Sequence, residues 1–203
     1  MTVSSTEPGR DEPGDDRAIY TGGCDRLNLG CGRKPLPQAL NVDINPSVGA
    51  DLVHDLNQRP WPIADDRFVE VSVFDVIEHC ADFIAVMDEI HRVCRDGAVV
   101  RITTPHFSCA NAYIDPTHRQ RLSVQSFDYV TGAAEYSFYT SRYYRYRARQ
   151  LVFTPSLINR LVGRVANRWP QRYEQRWAWC FPAWFIYVEL EVLKGSRPGR
   201  SGN

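Results

Sequence analysis

The chain has 203 residues, of which 43% are hydrophobic and 24% charged, and its 24 basic and 24 acidic residues leave no net charge. That size suits a single α/β domain with its own core, and the composition is that of a soluble globular protein. A neutral chain has no general signature of polyanion binding, and no uncharged apolar run is long enough to span a membrane.

The arginines are concentrated in one part of the chain. Residues 141–176 hold nine arginines and one acidic residue, Glu174. Two interpretations stay open for this stretch: a contact surface for phosphate or carboxylate groups, and a solvated arginine-rich surface. The six cysteines form no CxxC pair and no secretory signal begins the chain, so we expect reduced thiols and a cytoplasmic protein.

Polar segments flank one predicted domain. Residues 1–19 and 196–203 have little apolar surface to bury, and we predict disordered tails there. The domain itself is predicted over 20–195, without an internal repeat. Its first half alternates short β-like runs with one clear helix.

The β-like runs lie at 26–29, 40–44, 51–54, 69–74 and 98–104. The helix is predicted over 81–93, because apolar residues recur there at helical spacing, and Gly97 is expected to end it. These elements precede a less regular segment of the chain.

The second half of the domain is predicted to begin irregularly and to end in regular structure. We predict a strand at 143–153 and a helix at 155–168, with Thr154 as its cap and Pro155 at its first position. A last strand is predicted at 185–193. Strands that alternate with helices favour a mostly parallel sheet, and we expect the last strand to be an antiparallel edge strand.

The most specific feature is the sequence Gly30-Cys31-Gly32, directly after the first predicted strand. Glycine tolerates positive φ and leaves the backbone bare, so a ligand can approach it closely. Asp43 follows Gly32 by 11 positions, at the end of the second predicted strand. An acidic residue there accepts hydrogen bonds from ribose hydroxyls in Rossmann-like sites. Pro35 stands where the dinucleotide motif requires a third glycine, which disfavours NAD.

The stretch from Arg26 to Pro105 carries several motifs in order. They read LNLGCG, NVDI and DLVHDLNQRPWPIADDRFVEVSVFDVIEH, and this succession resembles the class I S-adenosylmethionine-dependent methyltransferases. The resemblance implies a Rossmann-like α/β fold, with a mostly parallel seven-stranded sheet and helices on both faces. It also implies S-adenosyl-L-methionine as the cofactor and S-adenosyl-L-homocysteine as its product.

The same resemblance implies which residues contact the cofactor. Asp43 is expected to bind the ribose hydroxyls, Asp55 the adenine amino group, and the Leu56 backbone a ring nitrogen. The full predicted set is Asn28, Gly30, Cys31, Gly32, Asp43, Asp55, Leu56, Phe74, Asp75 and His79.

Three features depart from the family pattern. Asn28 stands where an acidic residue is common, and an amide cannot pair with the cofactor's ammonium group as a carboxylate does. Lys34 occupies the position of the third glycine in the methyltransferase pattern. Only eight residues, two prolines among them, separate Gly32 from Asn41, so we expect the first helix to be shortened or absent.

The segment after the fifth predicted strand is expected to hold the methyl acceptor, because ligands of such folds bind at the carboxyl ends of the strands. We predict an acceptor-side insertion or lid over 106–140. Sequences similar to its PHFS and DPTHR motifs occur in a bacterial subgroup linked with polysaccharide or natural-product biosynthesis. Substrate contacts are predicted at Phe107, Tyr113, Arg119 and Tyr139.

A hydroxyl acceptor benefits from a base whose pKa lies near neutral, and histidine suits that task. We predict His118 as the base, with Asp115 orienting it or the substrate, and His106 as the second candidate. The alternative is a structural turn in which Asp115 caps a helix beginning at Pro116. His79 is interpreted as opening the helix beside the cofactor. His106, Asp115 and His118 also resemble a set of metal ligands, but no fourth ligand is evident and we predict no metal.

Tyrosines and arginines are interleaved in the strand predicted at 143–153. Aromatic faces stack on sugars or bases and arginine pairs with phosphate, which suits a glycoside, a phosphorylated sugar or single-stranded RNA. The alternative is a core face on the side opposite the arginines, formed by Tyr144, Tyr146, Ala148, Gln150 and Val152.

The predicted function is methyl transfer from S-adenosylmethionine to a hydroxyl oxygen of a small-molecule or sugar acceptor, phosphorylated or not. Two alternatives stay open: an RNA or protein methyltransferase that uses the arginine-rich half, and a protein that binds S-adenosylmethionine without catalysis. Nucleic acid is the less favoured partner. The aromatic C-terminal stretch is expected either to seal a homodimer or to cap the sheet.

Overall fold

The computed structural model describes Tyr20, residues 22–134 and residues 137–195, so both predicted tails lie outside the described residues. The strands are β1 (Arg26–Leu29), β2 (Leu40–Asp43), β3 (Leu52–Val53), β4 (Phe68–Phe74), β5 (Cys94–Pro105), β6 (Tyr143–Val152) and β7 (Phe185–Leu193). The α-helices are α1 (Phe83–Val93), α2 (Asn111–Ile114), α3 (Asp128–Thr131), α4 (Leu157–Arg168) and α5 (Pro170–Arg176). All six cysteines are unpaired.

One seven-stranded sheet runs through the molecule in the order β3-β2-β1-β4-β5-β7-β6. The first five strands pair in parallel, β7 is antiparallel to β5, and β6 is antiparallel to β7. The predicted Rossmann-like, mostly parallel sheet is thus confirmed. After β1 the chain adds β2 and β3 on one side of that strand, and it then crosses over to place β4 on the other side. That reversal opens a crevice at the carboxyl ends of these strands.

The predicted position of the last strand is wrong, although its antiparallel direction is confirmed. β7 lies between β5 and β6, and β6 forms the edge of the sheet. Alternating apolar residues show that one face of a strand is buried, but they do not show how many neighbours the strand has. The pattern therefore did not distinguish a central strand from an edge strand.

No helix joins β1 to β2, which agrees with the expected loss of the first helix. Asn41 secures the loop that replaces it. The Leu36 backbone N–H donates to Asn41 Oδ1 at 2.7 Å, and Asn41 Nδ2 donates to the Leu36 carbonyl at 3.1 Å. A buried asparagine thus supplies the hydrogen bonds that hold this short connection against the sheet.

The core lies between α1 and one face of the central strands. Its fully buried side chains include Leu29, Val73, Met87, Ile90, Val100 and Ile102. Asp82 caps α1, since its Oδ1 accepts from the Ala85 N–H at 3.0 Å. The helix ends at Val93, and Gly97 lies inside β5, so the expected glycine stop is wrong. The chain passes directly from helix to strand, and Gly97 adopts φ +76° there.

The opposite face of the central strands carries charges. Arg26 of β1 contacts Glu70 of β4 at 3.2 Å, and Arg101 of β5 contacts Glu70 at 2.7 Å. Arg101 also contacts Glu189 of β7 at 3.2 Å. These ion pairs run across four neighbouring strands and explain the alternation of charged and apolar residues along them.

The predicted core face of β6 is wrong beyond its middle. A β-bulge between Tyr146 and Ala148 shifts the register, so that Leu151 is buried while Ala148 and Gln150 are exposed. The extra residue of a bulge turns the following side chains to the other face. Arg149 consequently lies 5.4 Å from the centre of the Tyr146 ring.

Helix α4 begins two residues later than predicted. Ser156, rather than Thr154, caps it by accepting from the Asn159 N–H at 3.0 Å. Thr154 instead accepts from the Asn159 side chain at 2.8 Å. Within the described part of the chain, no helix is both long and apolar enough to cross a membrane.

Candidate active site

A cavity of about 530 Å³ opens at the carboxyl ends of β1, β2 and β4. Six residues predicted to contact the cofactor line it: Gly30, Asp43, Asp55, Leu56, Asp75 and His79. Arg119, predicted to bind substrate, lines it as well. Residues of the lining that the sequence interpretation missed are Ile44, His54, Asn57, Val76, Cys80 and Thr117.

The glycine turn after β1 has the positive φ angles that were predicted, +61° at Gly30 and +49° at Gly32. The two glycines are required for different reasons. A Cβ at Gly30 would collide with the side chain of Val76. Gly30 is therefore required for packing within the protein rather than for the approach of a ligand. A Cβ at Gly32 would meet nothing within 4 Å. Only the second glycine leaves the backbone open.

Asp43 ties this turn to the end of β2. Its Oδ2 accepts from the Gly32 N–H and its Oδ1 from the Asn45 N–H, both at 2.8 Å. A carboxylate has about four lone-pair sites, so two hydrogen bonds leave acceptor capacity toward the cavity. Asp43 therefore fixes the turn and offers acceptors to a ligand.

The far wall of the cavity joins a fixed carboxylate to an apolar surface. Asp55 Oδ1 accepts from both the backbone and the side chain of Asn57, at 2.9 and 2.8 Å. Leu56 is buried, and Ile44 is 64% exposed although its side chain is apolar. An exposed isoleucine in a cavity between two aspartates provides a surface for the face of a flat ring. Its signal in the sequence is an apolar residue directly after Asp43, where a strand ends.

Four predicted cofactor residues lie outside the lining: Asn28, Cys31, Gly32 and Phe74. The buried Asn28 donates its amide N–H to Asn41 Oδ1 at 2.9 Å and thereby links β1 to β2. Cys31 is buried. Phe74 is 42% exposed at the end of β4. The structure thus gives Asn28 a role in sheet pairing, which explains why an amide stands there.

A hydrogen-bonded chain orients His79 in the cavity wall. The Thr117 hydroxyl donates to Asp115 Oδ1 at 2.7 Å, and His79 Nδ1 lies 2.9 Å from the same hydroxyl oxygen. Because the hydroxyl proton points to Asp115, Thr117 accepts from Nδ1–H of His79, which assigns the tautomer and leaves Nε2 unprotonated. The Thr117 N–H also donates to Asp115 Oδ1 at 2.8 Å, so Asp115 closes a turn, and no helix begins at Pro116.

Burial and the neighbouring His118 lower the pKa of His79 below its ordinary value. The two rings meet edge to face, with centroids 4.6 Å apart. Hydrogen bonds from Thr117 keep the pKa of Asp115 low. A neutral imidazole therefore faces an ionised carboxylate through one hydroxyl at neutral pH, an arrangement suited to accepting a proton.

His118, the predicted base, does not line the cavity, and only 8% of its side chain is exposed. Its Nε2 lies 4.0 Å from Glu78 Oε1, and its Nδ1 lies 3.4 Å from the Ala112 carbonyl. Glu78 is nearly fully buried, and its Oε2 accepts from the Thr104 hydroxyl at 3.0 Å. Burial raises the pKa of Glu78 to about 7.

We expect Glu78→Gln to change how stability depends on pH. The unfolded chain ionises Glu78 near the ordinary pKa of 4.5, whereas the folded chain holds the proton until about pH 7. Between these values ionisation favours the unfolded state, so the natural protein loses stability as pH rises. The Glu78→Gln variant should lack this loss, which is on the order of 3 kcal/mol. Urea unfolding at intervals from pH 4 to about 8 measures the difference, and parallel curves for both proteins would contradict it.

His106, the second candidate base, is fully buried, and both ring nitrogens are engaged. Its Nδ1 lies 2.7 Å from Ser108 Oγ and its Nε2 lies 3.0 Å from Glu174 Oε1. It is therefore a structural residue here, and its interpretation as a base is not supported. The interpretation as a metal ligand together with Asp115 and His118 is not supported either, because His106 has no free nitrogen.

The described residues contain a different group with metal-ligating atoms. Glu78, His79 and His118 hold such atoms within 4.8 Å of one another. Two of these residues already make hydrogen bonds within the protein, Glu78 with Thr104 and His79 with Thr117. These hydrogen bonds use Glu78 Oε2 and His79 Nδ1, and each side chain keeps a second ligating atom, Glu78 Oε1 or His79 Nε2.

The other predicted substrate contacts lie outside the cavity. Tyr113 and Tyr139 are more than half exposed, and the Arg121 guanidinium lies 5.2 Å from the Tyr113 ring centre. Phe107 packs against Trp179, with ring centroids 5.4 Å apart. Only Arg119, of the four, faces the cavity.

No protein-family model and no curated protein sequence matches the chain. Solved structures do match, and their fold is that of S-adenosylmethionine-dependent methyltransferases. One such enzyme from Archaeoglobus fulgidus shares 19% identity over 83% of this chain and 86% of its own, with a TM-score of 0.51. Another from Mesorhizobium loti shares 12% identity over 84% and 91%, with a TM-score of 0.54.

The [4+2]-cyclase SpnF also matches, with 13% identity over 88% of this chain and 79% of its own and a TM-score of 0.53. At such identities the likeness establishes the fold alone. The chemistry of this chain therefore depends on the cavity and its lining residues.

Proposed function

We propose that this chain is an S-adenosylmethionine-dependent methyltransferase that acts on a hydroxyl oxygen of a small-molecule or glycan acceptor. The observation that carries the proposal is the position of an oriented, neutral His79 in the wall of the strand-end cavity. The same cavity holds the aspartates and the apolar surface that a nucleoside requires.

The lining residues fit S-adenosylmethionine. Asp43 has acceptor capacity for ribose hydroxyls, Ile44 and Leu56 suit the purine faces, and Asp55 suits the exocyclic amine. Asp75 is held by the Thr103 hydroxyl, which donates to its Oδ1 at 3.0 Å. We assign to Asp75 the pairing with the ammonium group that Asn28 does not provide.

The charge of the cavity agrees with this ligand. Three carboxylates, Asp43, Asp55 and Asp75, line it together with one arginine, Arg119. An excess of negative charge in a concave site raises the local concentration of cations. S-adenosylmethionine carries both an ammonium and a sulfonium group.

When bound, S-adenosylmethionine supplies an electrophilic methyl group on its sulfonium sulfur. The chain's own task is to hold the acceptor hydroxyl in line and to take its proton. His79 Nε2 takes that proton, and the positive charge that develops on the ring is stabilised through Thr117 by Asp115. The His118 ring packs edge to face against the His79 ring, and Glu78 lies on the other side of this contact, 4.0 Å from His118 Nε2.

Arg119 narrows the class of acceptor. It is the arginine of the cavity lining, and its backbone N–H donates to the Glu78 carbonyl at 2.7 Å, which fixes its place beside His79. A guanidinium at this point suits an acceptor that carries a phosphate or carboxylate group. A phosphorylated sugar or a sugar acid combines such a group with hydroxyls.

The arginines of β6, which are interleaved with tyrosines, give the RNA-binding alternative little support. Arg145 and Arg147 on β6 pair with Glu191 at 2.7 and 3.5 Å, and Arg149 lies 3.8 Å from Asp128. Arginines that are paired within the protein offer less to a phosphate backbone. The alternative of binding without catalysis leaves the orientation of His79 unexplained.

Calorimetry with S-adenosylhomocysteine tests the cofactor site. We expect Asp43→Ala to weaken binding by about 1–3 kcal/mol, because ribose hydroxyls lose their acceptors and the glycine turn loses its anchor. The affinity of Asp43→Asn should lie between those of the natural protein and Asp43→Ala, since one acceptor oxygen remains. Asp65→Ala, an exposed carboxylate that pairs with Arg92, is the matched control. Equal affinity in Asp43→Ala and the natural protein would refute the assignment.

Turnover is tested with methyl-labelled S-adenosylmethionine and a panel of sugar phosphates, sugar acids and unmodified glycosides. The proposal expects labelled product with an acidic acceptor and none in the absence of an acceptor. Tight binding of S-adenosylhomocysteine without turnover on any acceptor would favour the non-catalytic alternative.

A further inference from the structure

The two helices near the C-terminal end expose apolar side chains. Leu157 is 83% exposed and Leu161 is 65% exposed, and other apolar residues of α4 and the two tryptophans that flank α5 are exposed as well. We define the α4–α5 surface by Leu157, Ile158, Leu161, Val165, Trp169 and Trp177. Contiguous exposed apolar area of this kind marks a contact site in soluble proteins.

These side chains form one continuous surface. A groove of about 410 Å³ runs between α4 and α5, and Leu161, Val165, Trp169 and Trp177 line it together with Phe181. The floor of the groove is Ala166 and Tyr173, which are buried. Four of the six defining residues therefore line one groove, and Leu157 lies one helical turn before Leu161 on the same face of α4.

A row of arginines accompanies the apolar residues. Arg160, Arg164, Arg168, Arg172 and Arg176 recur every four positions, and all five are exposed. Among the described residues, none of the five forms an ion pair with a carboxylate, although Arg145 and Arg147 on β6 both do. The one acidic residue of α4 and α5, Glu174, is buried and accepts from His106. The row thus concentrates uncompensated positive charge in a chain whose net charge is zero.

We propose that the α4–α5 surface seats the protein on the face of an anionic lipid bilayer. Leucine and tryptophan enter the boundary between headgroups and acyl chains, and arginines beside them reach lipid phosphates. In α4 the arginines and the exposed apolar residues each recur at spacings of three or four, so they form adjacent stripes. The helix has 12 residues, about 18 Å by its rise, which suits a position in the plane of the interface.

The positive charge of the α4–α5 surface favours a bilayer over a second copy of the chain as its partner. A symmetric dimer through this surface would bring two rows of unpaired arginines toward each other, which costs free energy. An anionic bilayer offers the opposite charge to the whole row. The inference does not depend on the proposed catalytic activity, and its test uses no substrate.

Co-sedimentation of the full chain with vesicles tests this inference. We expect binding to vesicles of phosphatidylglycerol and phosphatidylcholine at low ionic strength, much weaker binding to pure phosphatidylcholine, and a loss of binding as salt rises. Arg160→Gln with Arg164→Gln should weaken partitioning about thirtyfold, since each basic residue near such a surface contributes on the order of fivefold. Leu157→Ser with Leu161→Ser should weaken it further, and both side chains are exposed enough to leave the fold intact.

The matched control is Arg145→Gln with Arg147→Gln, which removes the same charge from arginines paired with Glu191. It should reduce partitioning by less than about threefold. An equal loss in both double variants would overturn the inference, since binding would then follow net charge alone. No binding to anionic vesicles would overturn it too, and so would a stable dimer in sedimentation velocity that Leu157→Ser with Leu161→Ser dissociates.

Discussion

Replacing His79 by alanine is expected to lower kcat for methyl transfer by about a hundredfold to ten-thousandfold, the range that a positioned general base contributes. Thr117 and Asp115 orient the His79 ring, and water in the vacated space would lack that orientation. The affinity for S-adenosylhomocysteine should change by less than about tenfold, because the ribose and purine contacts assigned to Asp43 and Asp55 remain. Steady-state kinetics and calorimetry on the same preparation separate the two effects.

The control for this prediction is His118→Ala. His118 packs against His79 and is mostly buried, so its loss should reduce kcat less than the loss of His79 does. The pH profile gives a second readout. Activity falls as His79 becomes protonated, and burial and His118 lower its pKa, so the acidic limb should lie below pH 6.5. His118→Ala removes one cause of that shift and should move the limb upward. Full kcat in His79→Ala with a collapse in His118→Ala would identify His118 as the base.

Part of the cavity lining could be predicted from the sequence because its signals are local. Gly30 and Gly32 follow a strand of four residues and Asp43 ends another, and the turns there leave few choices for the backbone. The carboxyl ends of parallel neighbours meet at one edge, so these residues were expected to converge. The local pattern did not reveal why each residue is required. Gly30, for example, is a glycine because Val76 packs against it.

The contacts of the segment after β5 could not be predicted in this way because they join residues that are distant in sequence. Thr117 meets His79 across 38 positions, and His106 meets Glu174 across 68. A histidine after a strand looks the same whether its partner is a substrate or a buried glutamate. Thr117 of the motif at residues 115–118 lines the cavity, but the neutral histidine in the lining is His79, from the Glu78-His79 pair.

The position of the β6 bulge is a second feature that could not be predicted from the sequence. Strict alternation predicted one apolar face for the strand, and a single extra residue after Tyr146 exchanged the faces. Nothing in the composition of the strand marks that position, since the bulge accommodates Arg149 against Asp128 and Tyr146. The pairing is a property of the folded sheet.

Glu174 joins three parts of the fold through buried hydrogen bonds. Its carboxylate accepts from His106 at 3.0 Å, from the Ser123 hydroxyl at 2.9 Å, and from the Val124 N–H and the Gln125 amide at 2.8 Å. Burial by itself would raise the pKa of Glu174, but these donors outweigh it and lower the pKa, so the group stays ionised at neutral pH. α5, the end of β5 and the turn before α3 are thereby held together.

Glu174→Ala is expected to lower the free energy of unfolding by about 3–5 kcal/mol, because it leaves several buried donors without an acceptor. Glu174→Gln should lower the free energy of unfolding by less, since the oxygen of its amide group still accepts a hydrogen bond. Glu191→Ala removes a carboxylate whose partners Arg145 and Arg147 are about half exposed, and it should cost less than about 1 kcal/mol. Urea unfolding followed by circular dichroism ranks the three variants. If Glu174→Ala is no less stable than Glu191→Ala, the carboxylate does not hold α5 to the acceptor-side segment, and the α4–α5 surface would need another anchor.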